Sequence, residues 1–235
     1  MENLLPQEII LSIETSGKVC SVALTAVDAV SAVCIAEYSI NVGNKHDKYC
    51  AELCHRILAD NDLAATSLAA VAVSVGPGSF TGLRIGVAIA KGLCFGNADT
   101  PRLIAVPTLD AVANNANRNL RYISSSYKIL SVILSHSNLY YTQLFAGSRN
   151  DIPTALEDIV VLDTDAIIHK YNDCNDLYLT TNYPINLNIG QTLANLSTIS
   201  ASVIADYAVP IYRRGDFVDA DWLVPMYVQD FVVKK

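Results

Sequence analysis

The stretch from Leu68 to Val75 carries no charged residue and ends in Gly76-Pro77-Gly78. An unbroken apolar run of this kind marks a strand covered on both faces, and such strands belong to sheets with helices packed on each side. Glycine opens backbone angles closed to other residues and proline fixes one, so the strand must stop and turn at residues 76–78. A helix from about Leu83 to Phe95 follows, with Ser79 or Thr81 placed to cap it. Gly82, Gly86 and Ala90 recur every four residues, so one face is nearly bare backbone. Arg84 and Lys91 are its only charges, seven apart on one narrow stripe, and Leu83, Ile85, Val87, Ile89 and Leu93 fill the rest. A short helix that is apolar on nearly every side is covered on more than one side. One cover is its own sheet; the other is a second layer or another protein.

The rest of the chain can be placed around this unit. Ile9–Ile13, Val19–Val27 and Ser31–Ile40 read as three strands joined by short turns, the first turn being Glu14-Thr15-Ser16-Gly17. Lys48–Asp60 changes period: Tyr49, Cys50, Leu53, Cys54, Ile57 and Leu58 fall on one wide helical stripe. Leu103–Val106 is a short strand. The order then recurs. Ile129–Ser135 and Leu139–Ala146 read as a strand pair, Ile159–Leu162 as a strand, Asp165–Tyr171 as a helix and Leu177–Thr181 as a strand. Ser200–Tyr207 reads as a helix, and Val224–Val233 as a returning strand. The segment Asn114–Ser126, rich in Asn, Arg and Ser, reads as a loop or exposed helix end between the halves. The expected fold is α/β, built from duplicated ββ(β)αβα units. Residues 1–106 form the first subdomain, with 208–235 packing back on it, and 107–207 form the second.

Composition narrows the function. With 51% hydrophobic and 17% charged residues in 235, the chain can bury a sizeable core and is not disordered. A net charge of −7 gives no general attraction for a polyphosphate backbone, so contact with nucleic acid would run mainly through another subunit. No apolar stretch is long enough to span a membrane, and residues 1–8 lack the basic-then-apolar order of a secretory signal. Cys20, Cys34, Cys50, Cys54, Cys94 and Cys174 form no CxxC pair and read as reduced residues of a cytoplasmic protein.

Known catalytic patterns do not fit. A phosphate-cradling loop needs glycine followed by lysine five residues after the first glycine, and neither Gly76 nor Gly78 has that. A nucleophile elbow needs G-x-S-x-G, and Ser79 has glycine directly before it. His46 and His55 are nine apart, not the three or four that put two metal ligands on one helix face. These two, with His136 and His169, read as surface or capping residues. Cys50 and Cys54, one turn apart, read as part of a packed stripe. Glu14 is the one carboxylate in a suggestive turn, either bonded to neighbouring backbone N–H groups or catalytic.

The run Ser74-Val75-Gly76-Pro77-Gly78-Ser79-Phe80-Thr81-Gly82-Leu83-Arg84-Ile85-Gly86, with Ala90-Lys91-Gly92-Leu93 after it, resembles the hallmark of the TsaB (YeaZ-like, M22 glycoprotease-like) family. Ile13-Glu14-Thr15-Ser16 with Ser21-Val22-Ala23-Leu24, His46-Asp47, Val106-Pro107-Thr108-Leu109 and Pro225-Met226-Tyr227-Val228 resemble its flanking segments. The likeness is dense over residues 9–112, sparse over 113–208, and returns near the end. Two departures stand out. Leu134-Ser135-His136 replaces a frequent Asp-Ala-Arg, and Val228-Gln229 ends a Pro-x-Tyr-Leu-Arg pattern.

The resemblance implies two actin-like (sugar kinase or chaperone ATPase-like) subdomains. It implies a non-catalytic scaffold that pairs with the catalytic paralogue TsaD and the ATPase TsaE. Their complex transfers threonylcarbamoyl from its adenylate to the adenosine 3′ of certain tRNA anticodons. The expected partners are a TsaD-like subunit, a TsaE-like ATPase and, in isolation, a second copy in a homodimer, with tRNA held mainly by the partner. No cofactor is expected on this chain alone, and a nucleotide at a subunit junction is left open. Actin-like ATPases hold phosphate with two glycine-bearing turns, each near a carboxylate. The first equivalent is Glu14–Gly17; the second, Ser135-His136-Ser137-Asn138, has neither glycine nor carboxylate. This disfavours the alternative, a divergent nucleotide-dependent kinase or hydrolase. The expected partner interface is Tyr49, Cys50, Leu53, Ile57, Arg84, Gly86, Val87 and Ala90, with Gly76, Pro77, Gly78, Ser79, Phe80, Thr81 and Gly82 as the structural motif that seats the helix. If Gly86 packs instead on the chain's own sheet, it is a stability residue.

Overall fold

A computed structural model of the chain describes residues 8–41, 45–96, 101–120, 122, 126–185, 187–192 and 199–228. β1 (Glu8–Glu14) pairs antiparallel with β2 (Cys20–Val27), and β2 with β3 (Ala32–Ile40). The chain crosses over through α1 (His46–Ala59) to β4 (Ala70–Gly76), parallel to β1, and through α2 (Phe80–Leu93) to β5 (Arg102–Pro107), parallel to β4. The sheet order is β3-β2-β1-β4-β5. Every residue of β4 is buried, as its unbroken apolar run requires.

After α3 (Thr108–Leu120) the plan repeats. β6 (Lys128–His136) and β7 (Leu139–Ala146) form a hairpin, and both β8 (Thr154–Ala155) and β9 (Val160–Leu162) pair with β7. After α4 (Thr164–Tyr171), β10 (Leu177–Thr181) lies parallel to β6, and β11 (Gln191–Thr192) parallel to β10. The second sheet thus runs β11-β10-β6-β7-β8, the first sheet's plan with its outer strands shortened. α5 (Ala201–Arg214) lies against β1, β2 and α3.

Three apolar clusters define the layers. One face of the first sheet packs on α1 and α2 through Leu11, Val22, Val71, Cys50, Ile57 and Val87. Its other face, with Ile10, Ala72 and Ile104, meets α3, α5 and the inner face of the second sheet at Ile129, Ile133 and Phe145. The outer face of the second sheet packs on α4 through Leu130, Leu179 and Ile167. Among the described residues no helix is long and apolar enough to cross a membrane.

Three expectations are corrected. The Asn-rich stretch from residue 114 is the second half of α3 and is largely internal. The amide of Asn117 is consumed by a polar network. Asn117 Nδ2 donates to the Ser148 and Asp151 carbonyls at 2.7 and 3.2 Å, and its Oδ1 accepts from the Tyr127 hydroxyl at 2.8 Å and the Ser148 N–H at 2.9 Å. The helix expected to end at Tyr207 runs through Pro210 to Arg214 and stops at Gly215, whose φ of 74° suits a helix C-terminus. Residues 224–228 form no strand; they lie along β4, where the Met226 N–H donates to the Val75 carbonyl at 2.7 Å. The remainder of that expected strand, 229–233, lies outside the described residues, as does Gln229.

Candidate functional site

The turn after β1 is built around Glu14. Its carboxylate accepts from the Ser16 N–H and the Ser16 hydroxyl, both at 2.5 Å. Burial pushes its pKa up to about 7, while bonds from Ser16, Ser74 and the Gly17 amide draw it down. The glycine-rich segment presses on this turn. The Ser79 N–H donates to the Ser16 carbonyl at 2.7 Å, and Ser79 Oγ caps α2 by accepting from the Gly82 N–H at 3.2 Å. A Cβ on Gly78 would sit 2.6 Å from the Ser16 carbonyl oxygen, and one on Gly82 or Gly86 would overlap Thr15. Gly76 has a φ of 112°, which a side chain rarely adopts. Gly78, Ser79, Gly82 and Gly86 therefore seat α2 directly on the β1 turn.

A cleft of about 450 Å³ separates this turn from the second half. Ser16, Gly17, Lys18 and Ser79 line one side, and Leu134, Ser135 from the β6 end with Asn182 and Tyr183 line the other. The two turns compared in the sequence do face a common space. The first, however, spends the Ser16 donors on its own carboxylate, and the second offers no carboxylate. His46, expected as a surface or capping residue, is 7% exposed and lines this cleft, because it occupies the first turn of α1 on the helix's inward face. His55, His136 and His169 are exposed as expected.

The expected interface residues divide. Cys50, Leu53 and Ile57 of α1 and Gly86, Val87 and Ala90 of α2 are buried within the subunit, and Tyr49 is half-buried. The bare face at Gly82 and Gly86 thus serves the chain's own β1 turn, so Gly86 packs within the subunit, the second of the two cases weighed above. Arg84 is exposed but engaged: its guanidinium lies 3.8 Å from the Phe80 ring centroid, and its Nε donates to the Tyr227 hydroxyl at 3.0 Å. Lys91 Nζ donates to the Leu223 carbonyl at 3.2 Å, so the α2 cations fasten the C-terminal segment.

What α1 and α2 present outward is a different set. Ala51, His55 and Ala59, each one turn apart, with Ile89, Gly92 and Leu93, line a groove of about 440 Å³ between the helices. The face opposite the apolar stripe was the available signal for it, since Ala51, Ala59 and Gly92 are unusually small for a solvated helix surface. Cys20, Cys50 and Cys54 are buried free thiols; a hydrogen bond with Cys50 and burial push the Cys20 thiol far up, while for Cys50 a hydrogen bond with Cys54 and burial outweigh the lowering bond with Cys20, so both are inert packing residues.

Two sheets of matching order, joined across a cleft between equivalent hairpin turns, define an α/β protein of the actin-like class. The structure of YeaZ from Pseudomonas aeruginosa superimposes with a TM-score of 0.73 over 94% of this chain and 100% of that one, at 21% identity, a likeness of fold. The family model described as "TsaD: tRNA N6-adenosine threonylcarbamoyltransferase" matches residues 40–176. The tRNA threonylcarbamoyladenosine biosynthesis protein TsaB of Escherichia coli is 32% identical over 96% of each chain. The protein of the same description from Bacillus subtilis is 39% identical over 106 residues, 45% of this chain and 44% of the relative, so less than half of that relative's length is matched. The chain belongs to the TsaB (YeaZ-like) family.

Proposed function

We propose that this chain is a non-catalytic scaffold in tRNA threonylcarbamoyladenosine biosynthesis. It pairs with a TsaD-like catalytic subunit, with a TsaE-like ATPase joining the assembly, and the tRNA is held mainly by the partner. The observation that carries the non-catalytic reading is the Glu14 turn. In an actin-like nucleotide site the amides of this turn face phosphate. Here the Ser16 N–H and hydroxyl are bonded to Glu14, and the opposing turn adds only Ser135 among side-chain donors at the β6 end. The Glu14 carboxyl group already seated on these donors keeps them from a polyphosphate.

The pairing surface in this reading is the outward groove between α1 and α2. Small residues at Ala51, Ala59 and Gly92 allow the close approach of helices from a partner, while Ile89 and Leu93 supply apolar area that is rarely left to water in a larger patch. A second copy of the chain meets the same groove in the absence of the catalytic subunit, so self-pairing and partner-pairing compete. Replacing Ala51 by glutamate tests this. Co-purification with the TsaD-like subunit and sedimentation of the isolated chain are both expected to weaken together, with the melting temperature held. Undiminished pairing would move the interface elsewhere. ATP turnover by the purified chain that is lost in Glu14→Ala would overturn the non-catalytic reading.

A further inference from the structure

Among the described residues, the outer strands of the two sheets differ in how open they are. β8, β9 and β11 are two or three residues long. β5 is covered by the C-terminal segment, where the Val218 N–H donates to the Leu103 carbonyl at 2.9 Å in an antiparallel bridge. β3 is different. It has nine residues, none of them buried, and its sheet neighbour is β2 alone. Val33 and Ile35 are 56% and 46% exposed on either side of Cys34, itself exposed. An edge strand presents unpaired backbone N–H and C=O groups, and proteins guard such edges with short strands, proline, lysine or a cover. β3 contains neither proline nor lysine.

Charge and shape say what fits this edge. Arg213 donates to the carbonyls of Asp28 and Ser31 at 3.2 and 2.8 Å, and Arg118 pairs with Asp206. Among the described residues Glu37 has no basic partner, and its Oε1 accepts from the Ser202 N–H at 3.0 Å, which holds the carboxylate beside the strand. Burial and then the charges of Glu37 and Asp206 push the Cys34 thiol up, so both carboxylates are felt at the edge. The pairing with β2 slips between Leu24 and Thr25, where Ile35 has no opposite residue. Such a bulge bends the edge, so a second stiff sheet meets it poorly while a single flexible segment follows it. We propose that the β3 edge accepts an extended segment of another protein, added as a strand outside β3 with a lysine or arginine set against Glu37. Main-chain bonds to β3 supply affinity, and β-branched side chains of the segment lie beside Val33 and Ile35. This site is separate from the pairing groove on α1 and α2, and it stands whether or not the scaffold reading does.

The test is a titration of the isotope-labelled full chain, read by NMR, with a capped hexapeptide of alternating threonine and valine that carries lysine at one inner threonine position. Saturable shifts centred on the amides of residues 32–37, with slowed hydrogen exchange there, are expected. Glu37→Gln is expected to weaken this peptide about threefold, the loss of one exposed ion pair, and to leave the all-threonine version unchanged. The glutamine oxygen can still accept from Ser202, and melting curves check that the variant is folded. A peptide with proline at two successive inner positions, one of which must face β3, is expected not to bind, since proline lacks the N–H that a ladder needs. No saturable response, an equal response to the proline peptide, or an unchanged affinity in folded Glu37→Gln overturns the proposal. Shifts at residues 32–37 that grow with protein concentration alone make a second copy the occupant and overturn it as well.

Discussion

Two glycines of α2 make the same chemical change read in opposite directions. Glycine to alanine inside a helix ordinarily gains about 0.5–1 kcal/mol. At Gly92 a new Cβ meets nothing within 4 Å, so Gly92→Ala keeps that gain, and the melting temperature rises by roughly 1–4 °C. At Gly82 the new Cβ would overlap the Thr15 carbonyl oxygen and lie 3.2 Å from both the Thr15 carbonyl carbon and Ser79 Oγ. Backbone stands on both sides of this contact, so α2 must back away from the β1 turn by roughly 1 Å, which opens its contacts with Val71 and Val73. Overpacking of this kind costs about 1–3 kcal/mol, and the rigid neighbours put Gly82 at the upper end. After subtracting the helix gain, Gly82→Ala is expected to lose about 2 kcal/mol, or roughly 4–8 °C. Thermal melts and urea unfolding of both variants measure this. If Gly82→Ala is as stable as the parent, or Gly92→Ala loses as much as Gly82→Ala, α2 is not seated on the turn as described.

Glu14 sets a pH dependence. It keeps its proton to about pH 7 in the fold but only to about 4.5 when unfolded, so stability falls as pH rises through that window, by roughly 3 kcal/mol. Glu14→Gln should remove this fall. Asp110, raised to about 6 by burial, acts with the same sign in both proteins, so the difference between their urea midpoints across the window isolates Glu14; parallel profiles would contradict the assignment. Asn117→Ala leaves the Tyr127 hydroxyl and the Ser148 N–H without this acceptor and should cost about 2–4 kcal/mol by chemical denaturation, whereas a loss under about 0.5 kcal/mol would return the Asn-rich stretch to the surface. Arg84→Ala should cost about 1 kcal/mol and speed proteolysis within residues 216–228, since its contacts with Phe80 and Tyr227 go together; an unchanged cleavage rate would show that the segment's other contacts, among them Lys91 with Leu223, Met226 with Val75 and Val218 with Leu103, suffice to hold it.

The elements legible in the sequence were those whose pattern is local. The apolar run into Gly76-Pro77-Gly78 gave β4 and α2, and the period change at residue 48 gave α1, because burial and turn chemistry act on neighbouring residues there. α3 was illegible because its buried Asn117 is satisfied by residues some thirty positions away, at Ser148 and Asp151, so composition alone resembles a solvated loop. α5 was cut short because proline usually ends a helix, while packing on β1 and β2 carries this one past Pro210. The glycine stripe marks a close approach and leaves open whether a partner or the chain's own sheet makes it. Periodicity shows that a face is bare; only the fold shows that Thr15 lies against it. The cleft joins Lys18 to Asn182 across the duplication, a juxtaposition no single-segment motif encodes.

The central claim is that this chain supports the modification without performing it. The direct measurement is threonylcarbamoyladenosine in tRNA, quantified by mass spectrometry of nucleoside digests after reaction with the TsaD-like and TsaE-like subunits, with this chain present, absent, or alone. Product is expected only when all the subunits are present, none is expected from this chain alone, and Glu14→Gln is expected to leave the yield unchanged. Product formed by this chain without the catalytic subunit, or full yield in its absence, would contradict the account.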